Sequence, residues 1–281
     1  MSFSQASLPD FDSPPVGEVA LSVQFNKLSS LQIPHFGILW QVLRERFPIT
    51  QTHSPITQTA DVLGGRPTGN AGIRIEIVSE PIHPRVWFIT QSGNELLQIQ
   101  NDRFVFNWRK VADSDVYPRY EYVRSRFVEE LQVFKQFLLT EKLGELKATQ
   151  CEVTYVNQIL PSTVWANHGQ IGKVFSPWRE DFTDPDLPEC EVTRIAQQYI
   201  LERADSSGKT QIGRLIVEIQ PGVRITDNQP IFAMNLTARG IPLSDSSDGV
   251  LSFMDLGREH IVKGFRALTS KQMHKEWGLH E

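Results

Sequence analysis

The chain has 281 residues, 40% of them apolar and 22% charged, enough to bury a sizeable core as one large domain or two small ones. Its net charge of −5, from 28 Lys and Arg against 33 Asp and Glu, argues against broad nucleic-acid binding, which needs a surplus of cations facing the phosphates. Two cysteines, Cys151 and Cys190, are too few for a disulfide scaffold. The N-terminal MSFSQASLPDFDSPP lacks the basic and apolar regions of a secretion signal, and no apolar run approaches the ~20 residues that cross a bilayer, so a cytoplasmic protein is expected.

Residues 1–15 read as a flexible arm ending at Pro14-Pro15. VALSVQF then alternates, with Val19, Leu21, Val23 and Phe25 on one face, which predicts a half-buried strand. A helix opens at Pro34 and carries Phe36, Leu39, Trp40, Leu43 and Phe47 as an apolar stripe before Pro48 stops it. Residues from Thr50 to Asn70 read as a loop, and Ile73 to Ser79 alternates like a strand. Two turn signals, SGN and Asn101-Asp102, divide the next stretch into hairpin strands. In the last of these, Phe104, Phe106 and Trp108 share one face, while Arg103, Val105, Asn107 and Arg109 share the other. A long helix is predicted from Arg119 to Leu143, with Val123, Phe127, Leu131, Phe134 and Leu138 buried and Gly144 as its cap.

The second half repeats this order. It has a strand in CEVTYVNQIL, a shorter helix around Val164 to Phe175, three long strands starting at Cys190, and a terminal helix from Gly249 to Glu276. Cys151 and Cys190 both begin predicted strands and are expected as buried thiols. The fold class is α+β. Two similar halves, 16–147 and 148–281, each read strand, helix, three strands, helix, with a long helix covering an antiparallel sheet. The strand at Ile73 to Val78 offers an edge through which a two-fold homodimer could form.

Chemistry concentrates in NWRK and YPRYE. If the loop between them folds back, Arg109 and Arg119 converge beside Tyr117 and Tyr120, with Trp108 close by. Such a cluster suits a carboxylate or phosphate, because the guanidinium fork pairs two oxygens and the rings stack. Asn157, on one strand face with Val153 and Tyr155, must find a hydrogen-bond partner if buried, and either ties the halves together or meets a ligand. The seven histidines show no metal-ligand spacing, so no metal or other cofactor is expected. No nucleophile elbow, Walker loop or dinucleotide fingerprint occurs. Gly208 to Thr210 spell GKT, but between two strands and without the upstream glycine.

PPVGEVALSVQF, FNWRK, YPRYE, TYVNQI and the terminal EWG resemble a sporadically distributed bacterial protein family of uncharacterised function. The resemblance runs through most of the chain and implies a bacterial, cytoplasmic, accessory protein, without catalytic residues to carry over. The expected function is a non-enzymatic binding or interaction protein, defence-linked by analogy (phage defence or a toxin–antitoxin pair). Its partner is another protein or a small anionic ligand. The alternative is an enzyme on a nucleotide or nucleic acid, with Arg109 and Arg119 on phosphate and His260 or a carboxylate as general base. A nucleic-acid saddle would require Arg194, Arg203, Arg214 and Arg224 to share a face.

Overall fold

The computed structural model describes residues 8–57, 83–178, 186, 188, 190–205, 208–224 and 227–280. Residues 10–11, expected within a flexible arm, instead form a strand. This β1 (Asp10–Phe11) is followed by β2 (Val16–Phe25), α1 (Ile33–Leu43), β3 (Ile49–His53), β4 (Arg85–Ile89), β5 (Glu95–Ile99), β6 (Arg103–Arg109) and α2 (Tyr120–Thr140). β3 lies in a segment expected to be a loop, whereas the strand expected at Ile73 to Ser79 falls outside the described residues. The second half contributes β7 (Ala148–Ile159), a short α3 (Ile171–Val174), β8 (Ile195–Asp205), β9 (Gly208–Val223) and β10 (Pro230–Gly240).

The expected terminal helix is two helices, α4 (Ser247–Leu268) and α5 (Lys271–Glu276), followed by β11 (Leu279–His280). Thr269 breaks the run by going extended and bridging to Phe175, and the Ser270 hydroxyl then caps α5 by accepting from the Met273 amide at 3.3 Å. Cys151 is buried, which pushes its thiol up to about 12, but Cys190 is exposed and precedes β8 rather than opening it.

Among the described residues, one antiparallel sheet of nine strands runs β3-β4-β5-β6-β2-β7-β10-β9-β8, so the halves share a continuous sheet. The joint is the β2–β7 pair, in which Leu21 faces Val153 and Val23 faces Cys151. β1 pairs separately with β11, Asp10 opposite His280 and Phe11 opposite Leu279. The helices cover one face: α2 packs over β2 and β6, α4 over β7, β10 and β9, and α1 against β4. The predicted stripe of α2 is buried, and its Phe134 ring stacks on Phe104 with centroids 5.6 Å apart.

The opposite face of the sheet is polar, yet its centre is buried. Arg85 Nη1 donates to Gln98 Oε1 at 2.8 Å, Gln98 Nε2 to Asn107 Oδ1 at 2.8 Å, and Asn107 Nδ2 to Glu18 Oε1 at 2.5 Å. This relay crosses β4, β5, β6 and β2. Such ladders are expected, because a buried polar group left without a partner costs about 1–3 kcal/mol.

Candidate binding pocket between the two long helices

Arg119 ends the loop after Pro118 and sits at the N-cap of α2 with φ of 74°, a left-handed conformation that costs a non-glycine residue energy. Its guanidinium holds the N-terminal strap in place: Nη1 donates to Asp10 Oδ1 at 3.0 Å and to the Phe11 carbonyl at 3.1 Å. Tyr117 and Tyr120, on either side of this turn, both line a cavity of ≈ 70 Å³. β7 supplies Tyr155 and Asn157, α4 supplies Arg258, and Phe11, Ile261 and Phe265 add apolar wall.

The polar groups are closely tied. The Tyr117 and Tyr155 hydroxyls are 3.0 Å apart, and Tyr120 Oη donates to Asp255 Oδ1 at 2.8 Å. Burial pushes Tyr155 up to about 12 and raises Tyr117 and Tyr120 further, so all three are neutral phenols at neutral pH. Asn157 is buried, and its Nδ2 donates to the Met234 carbonyl at 3.1 Å. The Arg258 guanidinium lies 5.0 Å above the Tyr120 ring, with Nη2 3.3 Å from Glu121 Oε1, while its buried Nε has no hydrogen-bond partner.

Four of the residues singled out in the sequence thus stand around one cavity: Tyr117, Arg119, Tyr120 and Asn157. Trp108 stands behind it, buried, with its ring 5.6 Å from Tyr117. Arg109 does not join them. The strand alternation turns it to the polar face, where Nε donates to the Gly93 carbonyl at 2.9 Å and the guanidinium lies 5.9 Å from the Trp87 ring. The loop from Val111 to Val116 does fold back, but onto the β4–β5 turn. Asp115 Oδ2 accepts from the amides of Val111 (2.8 Å) and Ala112 (2.7 Å) and from Asn94 Nδ2 (2.7 Å), and these bonds hold its carboxyl below the usual range. The expected meeting of Arg109 with Arg119 is therefore absent.

Arg258 was missed. Its signal is a charged residue at an apolar-stripe position, since Met254, Arg258, Ile261 and Phe265 follow a helical spacing of four, three and four. His260 is half-buried on α4, which lowers its pKa, and does not line the cavity. Arg224 is held by Asp227 and by Asp113, and Arg214 stands opposite Arg239 on the polar face. Among the described residues no group of three or more His, Cys, Asp or Glu is placed to hold a metal ion, and no helix is long and apolar enough to cross a membrane. No protein-family model matches the chain, and no curated protein matches it in sequence.

Proposed function

We propose that the protein is a non-enzymatic binding module whose ligand is a small organic anion with an apolar or aromatic body, held in the pocket between α2 and α4. The observation that carries this reading is the convergence of Tyr117, Arg119, Tyr120, Asn157 and Arg258 from three distant stretches of chain on one largely apolar cavity. Arg258 brings a guanidinium nitrogen without an acceptor, and a charge-assisted hydrogen bond in a poorly solvated site is strong enough to select an anion. His260 and Arg109, which the enzymatic alternative would use, do not line the cavity, and this weighs against that version of it. The accessory role in a bacterial cell that the sequence resemblance implies belongs to the same proposal.

The test is native mass spectrometry of the purified protein, followed by thermal shift with benzoate as an aromatic carboxylate probe. A bound small anion, or a stabilisation by benzoate that disappears in Arg258→Gln, supports the reading. No bound mass together with no shift, or an equal shift in the variant, removes it and leaves a protein partner as the better account.

A further inference from the structure

The polar face of the sheet carries a second group of side chains, independent of the pocket. β2 is the middle strand of the nine. On it, Gln24 stands directly opposite Arg103 of β6 on one side and Gln150 of β7 on the other, and Ser22 is two residues along on the same face. All four are buried, at 4% exposure for Arg103, 5% for Gln24, 8% for Gln150 and 3% for Ser22. Directly opposed residues of this kind lie within about 5 Å at their Cβ atoms, so Gln24 has Arg103 and Gln150 as its immediate neighbours on either side.

Some neighbours on this face are hydrogen-bonded, as in the relay from Arg85 to Glu18, but these four present unpartnered groups. Arg103 Nε and Nη2, Gln24 Nε2, Gln150 Nε2 and Ser22 Oγ all lack a partner. Nε and Nη2 form the edge of a guanidinium that pairs both oxygens of a carboxylate or phosphate. The carboxylates acting on Arg103, Glu152 and Asp102, are already engaged, by Arg239 Nε at 2.5 Å and by Gln100 Nε2 at 2.9 Å. Arg85 and Arg239 add like charge to the surroundings of Arg103. Several unpartnered donors, with the guanidinium groups of Arg85 and Arg239 nearby, suit an oxyanion.

We propose that the centre of the polar sheet face is an oxyanion site, in which Arg103 forks a carboxylate or phosphate group while Gln24, Gln150 and Ser22 donate to its remaining lone pairs. It lies on the face opposite the α2–α4 pocket, so either site stands or falls without the other.

The experiment follows the Arg103 Nε–H resonance of ¹⁵N-labelled protein, assigned through its own backbone, during titration with inorganic phosphate or malonate. Sodium chloride at matched ionic strength is the control, and thermal shift is measured in parallel. Movement of that resonance and a rise in Tm with phosphate alone identify a phosphate group, with malonate alone a carboxylate, and with both a general oxyanion site. Affinity should fall at least tenfold in Arg103→Lys, which keeps the charge but loses the fork, and stay unchanged in Arg258→Gln. The proposal is overturned if neither oxyanion moves the resonance beyond the chloride control, because water then satisfies these donors. Equal affinity in Arg103→Lys overturns it too. Since the wild-type resonance is itself the readout, a variant that fails to fold does not decide the matter.

Discussion

Tyr120 Oη donates to Asp255 Oδ1 at 2.8 Å, joining the first turn of α2 to the middle of α4. The same carboxylate takes Arg124 in a fork, Nε to Oδ1 at 2.7 Å and Nη2 to Oδ2 at 3.0 Å. Asp255 is therefore one polar joint between the helices of the two halves, beside the pocket. The two bonds differ in worth. Arg124 and Asp255 are 33% and 48% exposed, so their ion pair is screened and contributes about 0–1 kcal/mol. The Tyr120 hydroxyl is buried and loses its acceptor if Asp255 is truncated, which costs about 1–3 kcal/mol. Asp255→Ala should accordingly cost more than Arg124→Ala in urea unfolding, with the double variant no worse than Asp255→Ala. Equal costs for the two single variants would contradict this ordering.

Glu130 is a second joint and, unlike Asp255, a buried one, 1% exposed in the middle of α2. It receives Arg46 through Nε at 3.0 Å and Nη2 at 2.9 Å, and Arg126 Nη2 at 3.0 Å. Breaking a buried pair from the carboxylate side leaves two guanidinium groups facing each other. Glu130→Ala is expected to cost about 3–5 kcal/mol. Arg46→Ala should cost less, because Glu130 keeps Arg126. Denaturant midpoints of the two variants in parallel check the order.

Much of this architecture is legible locally, because strand alternation and helical stripes are properties of neighbouring residues. VALSVQF and the Val123-to-Leu138 stripe fold as their periods require. β3 is not legible: ITQTH is short, mostly exposed and carries no apolar face. The α4–α5 break escapes because the apolar spacing continues through Leu268 and Met273, and only the Ser270 cap marks it. Tyr117, Arg119 and Tyr120 are found together because one loop carries them. Arg258 and Phe11 are not, since their partners lie far away in sequence. Arg103 reads correctly as facing away from Phe104, but its burial is a product of tertiary packing, which no local pattern encodes.

The N-terminal strap is expected to hold the pocket closed. Phe11 is 4% exposed and packs edge-on against Phe265 at 5.5 Å and Trp277 at 6.3 Å. Phe11→Ala removes a buried aromatic ring, a change that costs about 3–5 kcal/mol in a core. This strand pairs with β11 through two residues and is otherwise tied mainly by side-chain contacts, so much of the loss should appear as local opening rather than global unfolding. Hydrogen exchange should accelerate at the Asp12 and Ser13 amides, which bond to the Gly278 and Trp277 carbonyls, while β2 and β7 keep their protection. Uniform acceleration through the sheet would show instead that the strap is part of the global core.

Acid should weaken the fold first through its histidines. His274 packs edge-on against Phe11 at 5.9 Å, with Nε2 2.9 Å from Thr269 Oγ1, and burial holds its pKa below 6.5. His260 shifts in the same direction for the same reason. A folded pKa below the unfolded one means that the unfolded chain binds protons first as pH falls. Stability then decreases as pH drops through about 6.5 and levels off below the folded values. Glu18 acts in the opposite sense, because burial raises its carboxyl: the folded state takes up that proton first and gains stability as pH falls through the folded value towards 4.5. Urea unfolding between pH 7.5 and 4.5 separates them. His274→Gln should flatten the loss near pH 6.5, and Glu18→Gln should steepen the decline at the acid end. An unchanged slope in His274→Gln would show that His274 titrates alike in both states.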